Sequence, residues 1–327
     1  MNLPSPPYVF KPTSIQRVML TVTAALLPAV VAYVWWFGTA ILVSLAVASV
    51  TALLAEAAML RLRQQPVAPF LSDGSALLTA WLIALSFPPT APWWLLVVGV
   101  LFAIVIAKHL YGGLGQNPFN PAMIAYAVCI VSFPALMSQW PGIDAVTAAT
   151  PLDHLKTGLK LGEGQATVAS LFADGKVRGT IAGRGWEWIA GAYLLGGLIL
   201  LQLRMITWHV PTAFLGTLAA VAGVFWLWQP ASYADPLFHL FTGGAMLGAF
   251  FIATDPVTGA TTPNGKLIFG AGAALLEYII RVFGGYPDGI AFAILLMNLC
   301  VPLLDMYTQP PVFGMQDAGG KRHGGEQ

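Results

Sequence analysis

Long apolar runs separated by short polar turns make up most of the 327-residue chain. A helix needs about 20 apolar residues to cross the roughly 30 Å hydrocarbon core of a bilayer. The runs are continuously apolar rather than alternating, so helices rather than strands are predicted to span it. Five spans are predicted on each side of a polar segment. They lie near 17–37, 39–60, 73–88, 92–111, 118–138, 186–204, 209–229, 236–254, 264–284 and 287–306.

This pattern predicts an all-α polytopic membrane protein in three parts. The first five helices occupy residues 1–138, and the polar segment at 139–185 forms an extracytoplasmic loop. The second five helices and a short cytoplasmic tail occupy residues 186–327. Residues 1–16 lack a charged region followed by a short apolar core and a small-residue cleavage site, which is the pattern of a removable signal peptide. The first span is therefore expected to be retained.

Composition agrees with a bilayer environment. Only 9% of the residues are charged and 57% are apolar, with a mean hydropathy of +0.74. A soluble protein carries about 25% charged residues. The net charge of +1 gives no reason to expect a nucleic-acid partner.

The distribution of lysine and arginine predicts the orientation. With the N-terminus inside, nine basic residues fall on the inside and only Arg281 falls in a short outside loop. The other five lie in the long polar segment, where the positive-inside rule counts for less. Both termini are therefore expected in the cytoplasm, with Thr150 on the outer, periplasmic face of a bacterial inner membrane.

Two stretches suggest an internal repeat. The run that begins at Gly74 is similar to the run that begins at Gly243, and the run at Lys108 is similar to the run at Ile280. The offsets, 169 and 172 residues, nearly agree, although apolar runs can also match by chance. An odd number of spans in each copy predicts two inverted five-helix halves.

The third and eighth spans are short and end in proline-rich turns. These turns are Ser86-Phe87-Pro88-Pro89 and Thr254-Asp255-Pro256-Val257-Thr258. Short or broken spans at matching positions point to a central binding site, because their free backbone groups must face protein, ligand or water. Simple packing kinks are the alternative.

One stretch in the polar segment runs Asp144-Ala145-Val146-Thr147-Ala148-Ala149-Thr150-Pro151. From the residues alone it is a loop of small side chains that ends at a proline. Its order, Asp-x-x-Thr-x-Ala-Thr, resembles the flavin-attachment motif of the membrane subunits of the ion-translocating Rnf complex and of Na+-pumping NADH:quinone reductase. In that family the last threonine carries FMN through a phosphoester bond. The resemblance thus implies FMN on Thr150, with Asp144, Thr147 and Ala149 as the other motif positions.

The resemblance extends over nearly the whole chain. The glycine-rich turn that begins at Gly112 and ends in Asn120-Pro121-Ala122 looks like a family feature, as do Ser72-Asp73-Gly74-Ser75 and the turn at Asp255. One departure is Ala148, where many relatives have glycine. The short N-terminal segment is more similar to the Rnf member of the family, RnfD, than to its longer homologue in the quinone reductase.

The resemblance implies a component of an ion-translocating ferredoxin:NAD oxidoreductase that passes electrons and couples them to Na+ or H+ movement. It implies FMN, with a non-covalent riboflavin among the helices as a further expectation. The expected partners are the other Rnf subunits, including a second flavin-bearing one, and a flavin transferase, because a threonine hydroxyl is no nucleophile by itself. Such a chain would not be catalytic alone.

Ionisable residues at membrane depth are candidates for an ion path. Glu56 and Glu277 lie within apolar spans, and Asp73 and Asp255 lie at predicted cytoplasmic helix ends. For Glu277 the plain alternative is an i,i+4 ion pair with Arg281. For Glu56 the alternative is a side chain that reaches toward the membrane surface, and for the aspartates it is helix capping.

Other chemistry is disfavoured by the sequence. The histidines show no metal-ligand spacing, the two cysteines form no CxxC, and there is no Rossmann or Walker glycine pattern. Metal and pyridine-nucleotide sites are therefore not expected in this chain. A channel or secondary transporter without redox work remains the rival class, and the motif ending at Thr150 distinguishes the two.

Overall fold

The first half of the computed structural model is a series of helices joined by short turns. The structure describes residues 14–142, 149–161, 166–173, 175 and 177–310. The helices up to the polar segment are α1 (Ile15–Ala25), α2 (Leu27–Phe37), α3 (Ala40–Leu62), α4 (Val67–Leu71), α5 (Ser75–Ser86), α6 (Trp93–Leu101, continued as a π-helix over Phe102–His109), α7 (Pro121–Ser132) and α8 (Pro134–Met137).

The polar segment and the second half are also helical. They form α9 (Pro151–Leu161), α10 (Val168–Ala173), α11 (Trp186–Gln202), α12 (His209–Trp228), α13 (Pro236–Leu240), α14 (Ala245–Leu247, continued as a π-helix over Gly248–Ile252), α15 (Pro263–Phe283) and α16 (Ile290–Tyr307). Among the described residues the only β contact is an isolated bridge between Arg178 and Gly183. The all-helical part of the predicted fold class is confirmed.

Five helical segments are long and apolar enough to cross a membrane in the part of the chain that the structure describes. They are Ile15–Phe37, Ala40–Leu62, Val67–Ser86, His209–Trp228 and Ile290–Tyr307. Trp93–His109 and Pro121–Ser132 are apolar but shorter. The structure therefore agrees with a multi-pass membrane protein, while ten spans in two inverted halves remain a prediction.

Capping side chains and prolines determine where several helices begin. Asn120 accepts hydrogen bonds from the backbone N–H groups of Ala122 and Met123, and Pro121 occupies the first turn of α7. Thr262 caps α15 in the same way and is followed by Pro263. Proline fits this position because its missing N–H would have no partner there.

Large apolar side chains lie on the outside of the bundle. Trp35 is 83% exposed, Leu62 78% and Leu227 74%. Soluble proteins rarely expose so much contiguous apolar surface. Helices in a bilayer expose such side chains to lipid, so this surface fits the composition.

The halves pack against each other through three helix pairs. Helices α1 and α2 contact α11, and α7 contacts α16. One apolar core runs through both halves, and a second, smaller cluster lies under the polar segment. The members of this outer cluster are Leu152, Leu155, Val168, Val177, Ala234 and Phe238.

Three helices differ from the sequence prediction. The span predicted at 118–138 is interrupted at Phe133, where Pro134 starts a new short helix. The span predicted at 236–254 is interrupted between Leu240 and Ala245. The fourth span ends as a π-helix, in which Leu110 N–H donates to Val105 O at 3.0 Å. The local amino-acid composition does not predict a π-helical turn.

Candidate functional site

Thr150 lies directly before α9, at the capping position of that helix. Its hydroxyl oxygen accepts a hydrogen bond from Asp153 N–H at 3.2 Å, and its carbonyl oxygen accepts one from His154 N–H at 2.8 Å. Threonine is favoured here because its side chain satisfies a backbone donor that the first turn leaves free. Thr150 is half-buried, so it occupies a helix terminus rather than an open loop tip.

Helix α9 is amphipathic and lies on the bundle. Leu152 and Leu155 belong to the outer apolar cluster, and Leu152 packs so closely against Gly243 that a side chain there would collide with it. Gly243 also has a φ of +73°, which glycine adopts without strain. These contacts hold the helix that begins at Thr150 against the second half.

A pocket opens beside Thr150 and extends between the two halves. Its empty space, which includes the open solvent at its mouth, is about 870 Å³. Its lining comes from α2, α5, α7, α8, α9, α11, α14 and α16. The aromatic members are Tyr33, Tyr126, Trp140, Trp186 and Tyr193.

Trp186 organises the aromatic wall of this pocket. Its ring lies 5.0 Å from the Trp140 ring at 73° and 6.1 Å from the Tyr33 ring at 87°. Both are edge-to-face arrangements, which aromatic quadrupoles favour. The wall offers flat apolar surfaces of the kind that a planar heteroaromatic ring can pack against.

Two carboxylates supply the charge in the pocket. Asp153 comes from α9, and Asp288 comes from the turn before α16. Asp288 accepts hydrogen bonds from Gly244 N–H at 2.5 Å and from Ile290 N–H at 3.3 Å, and it lies 3.3 Å from the guanidinium of Arg281. Its position is therefore fixed by three separate elements.

The motif residues before Thr150 are only partly described. Ala149 is exposed, and Asp144 and Thr147 lie outside the described residues. The structure therefore locates the end of the motif and leaves its start a sequence prediction.

A second pocket lies further along the same helices. Ser75 and Leu82 of α5 line it, while Leu85 and Ser86 line the first pocket. Likewise Ala122 at the start of α7 lines the second pocket and Tyr126 the first. The two pockets thus follow one another along α5 and α7.

Asp255 lies in the lining of the second pocket, between the two halves. It accepts hydrogen bonds from Val257 N–H at 3.1 Å and from the Thr258 hydroxyl at 2.8 Å, and Asn120 Nδ2 approaches it at 3.5 Å. Asn298 connects the same two turns, because it accepts from Asn120 N–H and donates to Thr258 O. The turn at Asp255 therefore meets the glycine-rich turn that ends at Asn120, whereas Ser86, in the other predicted broken turn, lines the first pocket.

Glu56 occupies a buried polar network. Its carboxylate lies 2.9 Å from Lys108 Nζ and 3.0 Å from His109 Nε2. Lys108 also donates to the Ser75 hydroxyl at 2.9 Å, and Arg63 Nη1 approaches His109 Nδ1 at 3.2 Å. The interpretation of Glu56 as a side chain reaching toward the surface is wrong, because it is 2% exposed and paired within the bundle.

Glu277 pairs with Arg281 on α15, as the i,i+4 alternative predicts. Both side chains are buried, and Arg281 Nη1 also donates to His239 O at 2.7 Å. Arg281 therefore lies inside the bundle rather than in an outside loop. Arg281 was the basic residue that the topology prediction counted in a short outside loop, and it no longer counts there. The predicted orientation, with both termini in the cytoplasm, is unchanged.

Asp73 behaves as a capping residue. Its carboxylate accepts a hydrogen bond from Ser75 N–H at 2.7 Å, at the start of α5. Gly74 between them has a φ of +80°, which allows the chain to turn into the helix.

Lys156 is a site residue that the sequence did not identify. Its ammonium group lies 2.7 Å from Tyr286 O, 3.0 Å from Arg281 O and 3.4 Å from Ile280 O. Burial lowers the pKa of Lys156 to about 8, with a further reduction from Lys160 and an opposing effect of Asp153. A lysine in a polar segment looks solvated in the sequence, and no local pattern reveals its distant acceptors.

Lys108, His109 and Asn298 were also missed as members of polar networks. Each lies inside an otherwise apolar run, which is the signal that could have found them. Among the described residues, no group of three or more His, Cys, Asp or Glu side chains is placed to hold a metal ion.

Comparison with known proteins identifies the family. The model of the NQR2, RnfD, RnfE family matches residues 2–314. A protein of Erwinia tasmaniensis, named as the D subunit of an ion-translocating oxidoreductase complex, is 47% identical over 96% of this chain and 98% of its own length. Proteins of the same name from Yersinia pseudotuberculosis and Salmonella enteritidis are 47% and 48% identical over the same shares. The chain therefore belongs to the NQR2, RnfD, RnfE family, which confirms the resemblance drawn from the motif ending at Thr150.

Proposed function

We propose that the chain is the D subunit of an Rnf-type ion-translocating oxidoreductase complex and carries FMN covalently on Thr150. The names of the relatives support the complex. The flavin is supported by one observation above others: Thr150 lies in the lining of an open pocket with an aromatic wall.

The start of α9 suits a phosphoester. Thr150 precedes an 11-residue helix whose first backbone N–H groups have no intrahelical acceptor. Such a terminus attracts anions, because the free donors and the helix dipole both favour negative charge. Asp153 opposes this in part, since its carboxylate lies in the same turn.

The pocket suits a flat ring. Trp140, Trp186 and Tyr193 offer apolar surfaces, while the Asp288 carboxylate and the backbone near Gly244 offer polar groups. A bound flavin supplies reversible electron transfer there, and the chain fixes its position and surroundings. Trp186 and Tyr193 are themselves buried, so this wall is shielded from solvent.

The second pocket is the proposed place for a non-covalent riboflavin. It lies along α5 and α7 from the first pocket and combines an apolar wall with Asn120, Ser75 and Asp255. Two flavins so placed would lie one after the other along α5 and α7, and electrons could pass from one to the other.

Ion coupling is proposed to use the buried carboxylates. Asp255 lies where the broken turn of the second half meets the glycine-rich turn of the first half, and the Asn120 amide approaches it. Asp73 and Glu56 lie near the same end of α5, connected through Ser75. Glu277 pairs with Arg281, which in turn contacts Asp288 in the wall of the first pocket. The transported ion is Na+ or H+.

We further propose ten spans in two inverted five-helix halves, in a bacterial inner membrane. Both termini would be cytoplasmic and the Thr150 segment periplasmic. The cross-contacts of α2 with α11 and of α7 with α16 support paired halves. The partners are the other Rnf subunits, including a second flavin-bearing one, and a flavin transferase that matures Thr150.

Two other functions were open from the sequence. The names of the relatives argue against the homologous B subunit of the Na+-translocating NADH:quinone reductase. A solute channel would not need a threonine at the mouth of an aromatic pocket. The channel is therefore less supported than a flavin-carrying subunit.

Intact-mass measurement tests the proposal. The chain is produced with an active flavin transferase, purified and denatured, beside Thr150→Ala and the control Thr157→Ala, which changes an exposed threonine of α9. We expect one added FMN less water in the wild type and in Thr157→Ala, and none in Thr150→Ala. An unmodified wild-type chain, with the transferase active on another substrate, would overturn the covalent flavin.

A further inference from the structure

Among the residues that the structure describes, Lys156 provides the polar contact that holds α9 to the bundle beside its apolar face. Lys156 reaches across to α15 and donates toward Ile280 O and Arg281 O, in the last turn of that helix. The last carbonyls of a helix lack the full set of intrahelical partners, and the helix dipole makes this end negative. Ile280 O also accepts from Gly284 N–H at 2.9 Å. A lysine is therefore well matched to this position.

The third acceptor connects Lys156 to the pocket. Tyr286 O lies 2.7 Å from Nζ, and the next two residues, Pro287 and Asp288, line the pocket beside Thr150. Asp288 is itself held by Gly244 N–H and Ile290 N–H. Lys156 thus binds the helix that starts at Thr150 to a rigid part of the pocket wall.

The apolar contacts of α9 cannot supply the same restraint. Leu152 and Leu155 hold the helix down on the outer cluster, but apolar contacts are non-directional and permit sliding and rotation. Hydrogen bonds from one ammonium to three carbonyls define a direction and a register. Thr150 lies six residues before Lys156, so a small rotation of α9 would displace the attachment point.

We propose that Lys156 is a positioning residue, which holds α9 in register so that a flavin on Thr150 enters the aromatic pocket in one orientation. This inference rests on the proposed function, because it takes Thr150 as the attachment point. Lys156 acts through the helix and does not touch the flavin.

Three variants isolate the contact. Lys156→Met removes the donors and keeps the length of the side chain, and Lys156→Arg retains donors of similar reach. Lys160→Met is the matched control, because Lys160 is exposed one turn further along α9. If Lys156→Met does not purify as a single species, Lys156→Gln replaces it.

Two measurements are made on the full chain. Spin labels at His154→Cys and Gly285→Cys, both exposed positions, report the distance between α9 and the turn after α15. Cys300, which is exposed, is changed to serine in this background, while Cys129 is buried. Visible circular dichroism of the flavin reports how uniformly the flavin is held, with occupancy taken from intact mass.

We expect the wild type and Lys160→Met to give one narrow distance and a strong flavin signal. Lys156→Met should shift the ratio of docked to undocked helix toward the undocked form by roughly tenfold and weaken the signal per attached flavin. Lys156→Arg should lie nearer the wild type than Lys156→Met does.

Three results would overturn the proposal: no change in Lys156→Met, a broadened distance with an unchanged flavin signal, or no recovery in Lys156→Arg. If the wild type lacks the flavin mass, the proposed function fails. The spin-label distances then still show whether Lys156 docks the helix.

Discussion

Lys108 and Glu56 form a buried ion pair in which Nζ lies 2.9 Å from Oε1 and each side chain is 3% exposed. Lys108 comes from the π-helical end of the fourth predicted span and Glu56 from α3. Neither charge can reach bulk water without movement of the helices. The pair therefore holds these two helices in one relative position.

Removing one partner should destabilise the chain more than removing both. Glu56→Gln or Lys108→Met each leaves a buried charge without its partner, at a cost of about 3–5 kcal/mol. The double variant should cost less than the sum of the two. Denaturant unfolding in detergent measures this, with Arg61→Met as an exposed control on α3. Strictly additive effects would contradict the coupling.

Gly196 is predicted to be essential for packing of α11 against α1. A methyl group on Gly196 would overlap Ala25 O, whereas one on Gly191 of the same helix meets nothing within 4 Å. Gly196→Ala should therefore destabilise by about 1–3 kcal/mol. Gly191→Ala should be neutral or stabilising by up to about 1 kcal/mol. Thermal unfolding of the two variants side by side tests this, and equal midpoints would show that α1 can shift.

The docking of α9 is predicted to depend on pH in the alkaline range. The pKa of Lys156 is about 8 in the folded chain and 10.5 as an ordinary lysine. Between these values the undocked helix binds a proton that the docked helix does not, so docking becomes more stable as pH rises from about 8 to about 10.5. Below pH 8 both forms are protonated and this contribution is constant.

Spin-label distances across that range check the sign, and Lys156→Met should remove the dependence. If docking weakens between pH 8 and 10.5 in the wild type and does not in Lys156→Met, the predicted sign of the pH dependence is wrong. Other charged and titratable groups lie near Lys156 and contribute to the measured pH dependence. They are Asp153, Lys160, Arg281, Tyr286 and Asp288.

Asp255→Asn should uncouple ion movement from electron flow. The amide oxygen can still accept from Val257 N–H and the amide NH2 can donate to the Thr258 hydroxyl, while the negative charge is removed. We expect most of the ion uptake per electron to be lost from the complex in vesicles. Asp305→Asn is the control, because Asp305 also accepts a backbone hydrogen bond at a helix end, from Thr261.

Glu277→Gln belongs in the same assay, since Glu277, like Glu56, is an ion-path candidate because of its depth in a span. If the ratio of ions to electrons is unchanged in both Asp255→Asn and Glu277→Gln, neither residue lies on the path.

The sequence predicted the helices well because apolar length is a local property. The ends of α12 and α15 fall within about one residue of the predicted spans. The interruption between Leu240 and Ala245 was missed, because Phe241 and Thr242 are apolar or small enough to continue a run. Local composition does not show which backbone groups a distant residue will satisfy.

The candidate site was predicted in part. Thr150 was identified from a motif, and its pocket was not, since Tyr33, Trp140 and Trp186 are far apart in the chain and resemble interfacial aromatics. The Glu277–Arg281 pair was foreseen from its spacing of four. Lys156 and the Glu56–Lys108 pair were not, because their partners are 124 and 52 residues away.

The π-helical segment at Phe102–His109 determines which side chains of its helix face inward. A residue of an α-helix advances about 100° around the axis, and a π turn contains more residues than an α turn. Lys108 and His109 reach Glu56 at the end of this widened segment, while Ile106 and Leu110 on either side are 40% and 75% exposed. Deleting one residue from the segment would conserve every charged amino acid yet rotate Lys108 toward lipid. The pairing of Lys108 with Glu56 is therefore a matter of helix phase, so a deletion there would be more damaging than most substitutions.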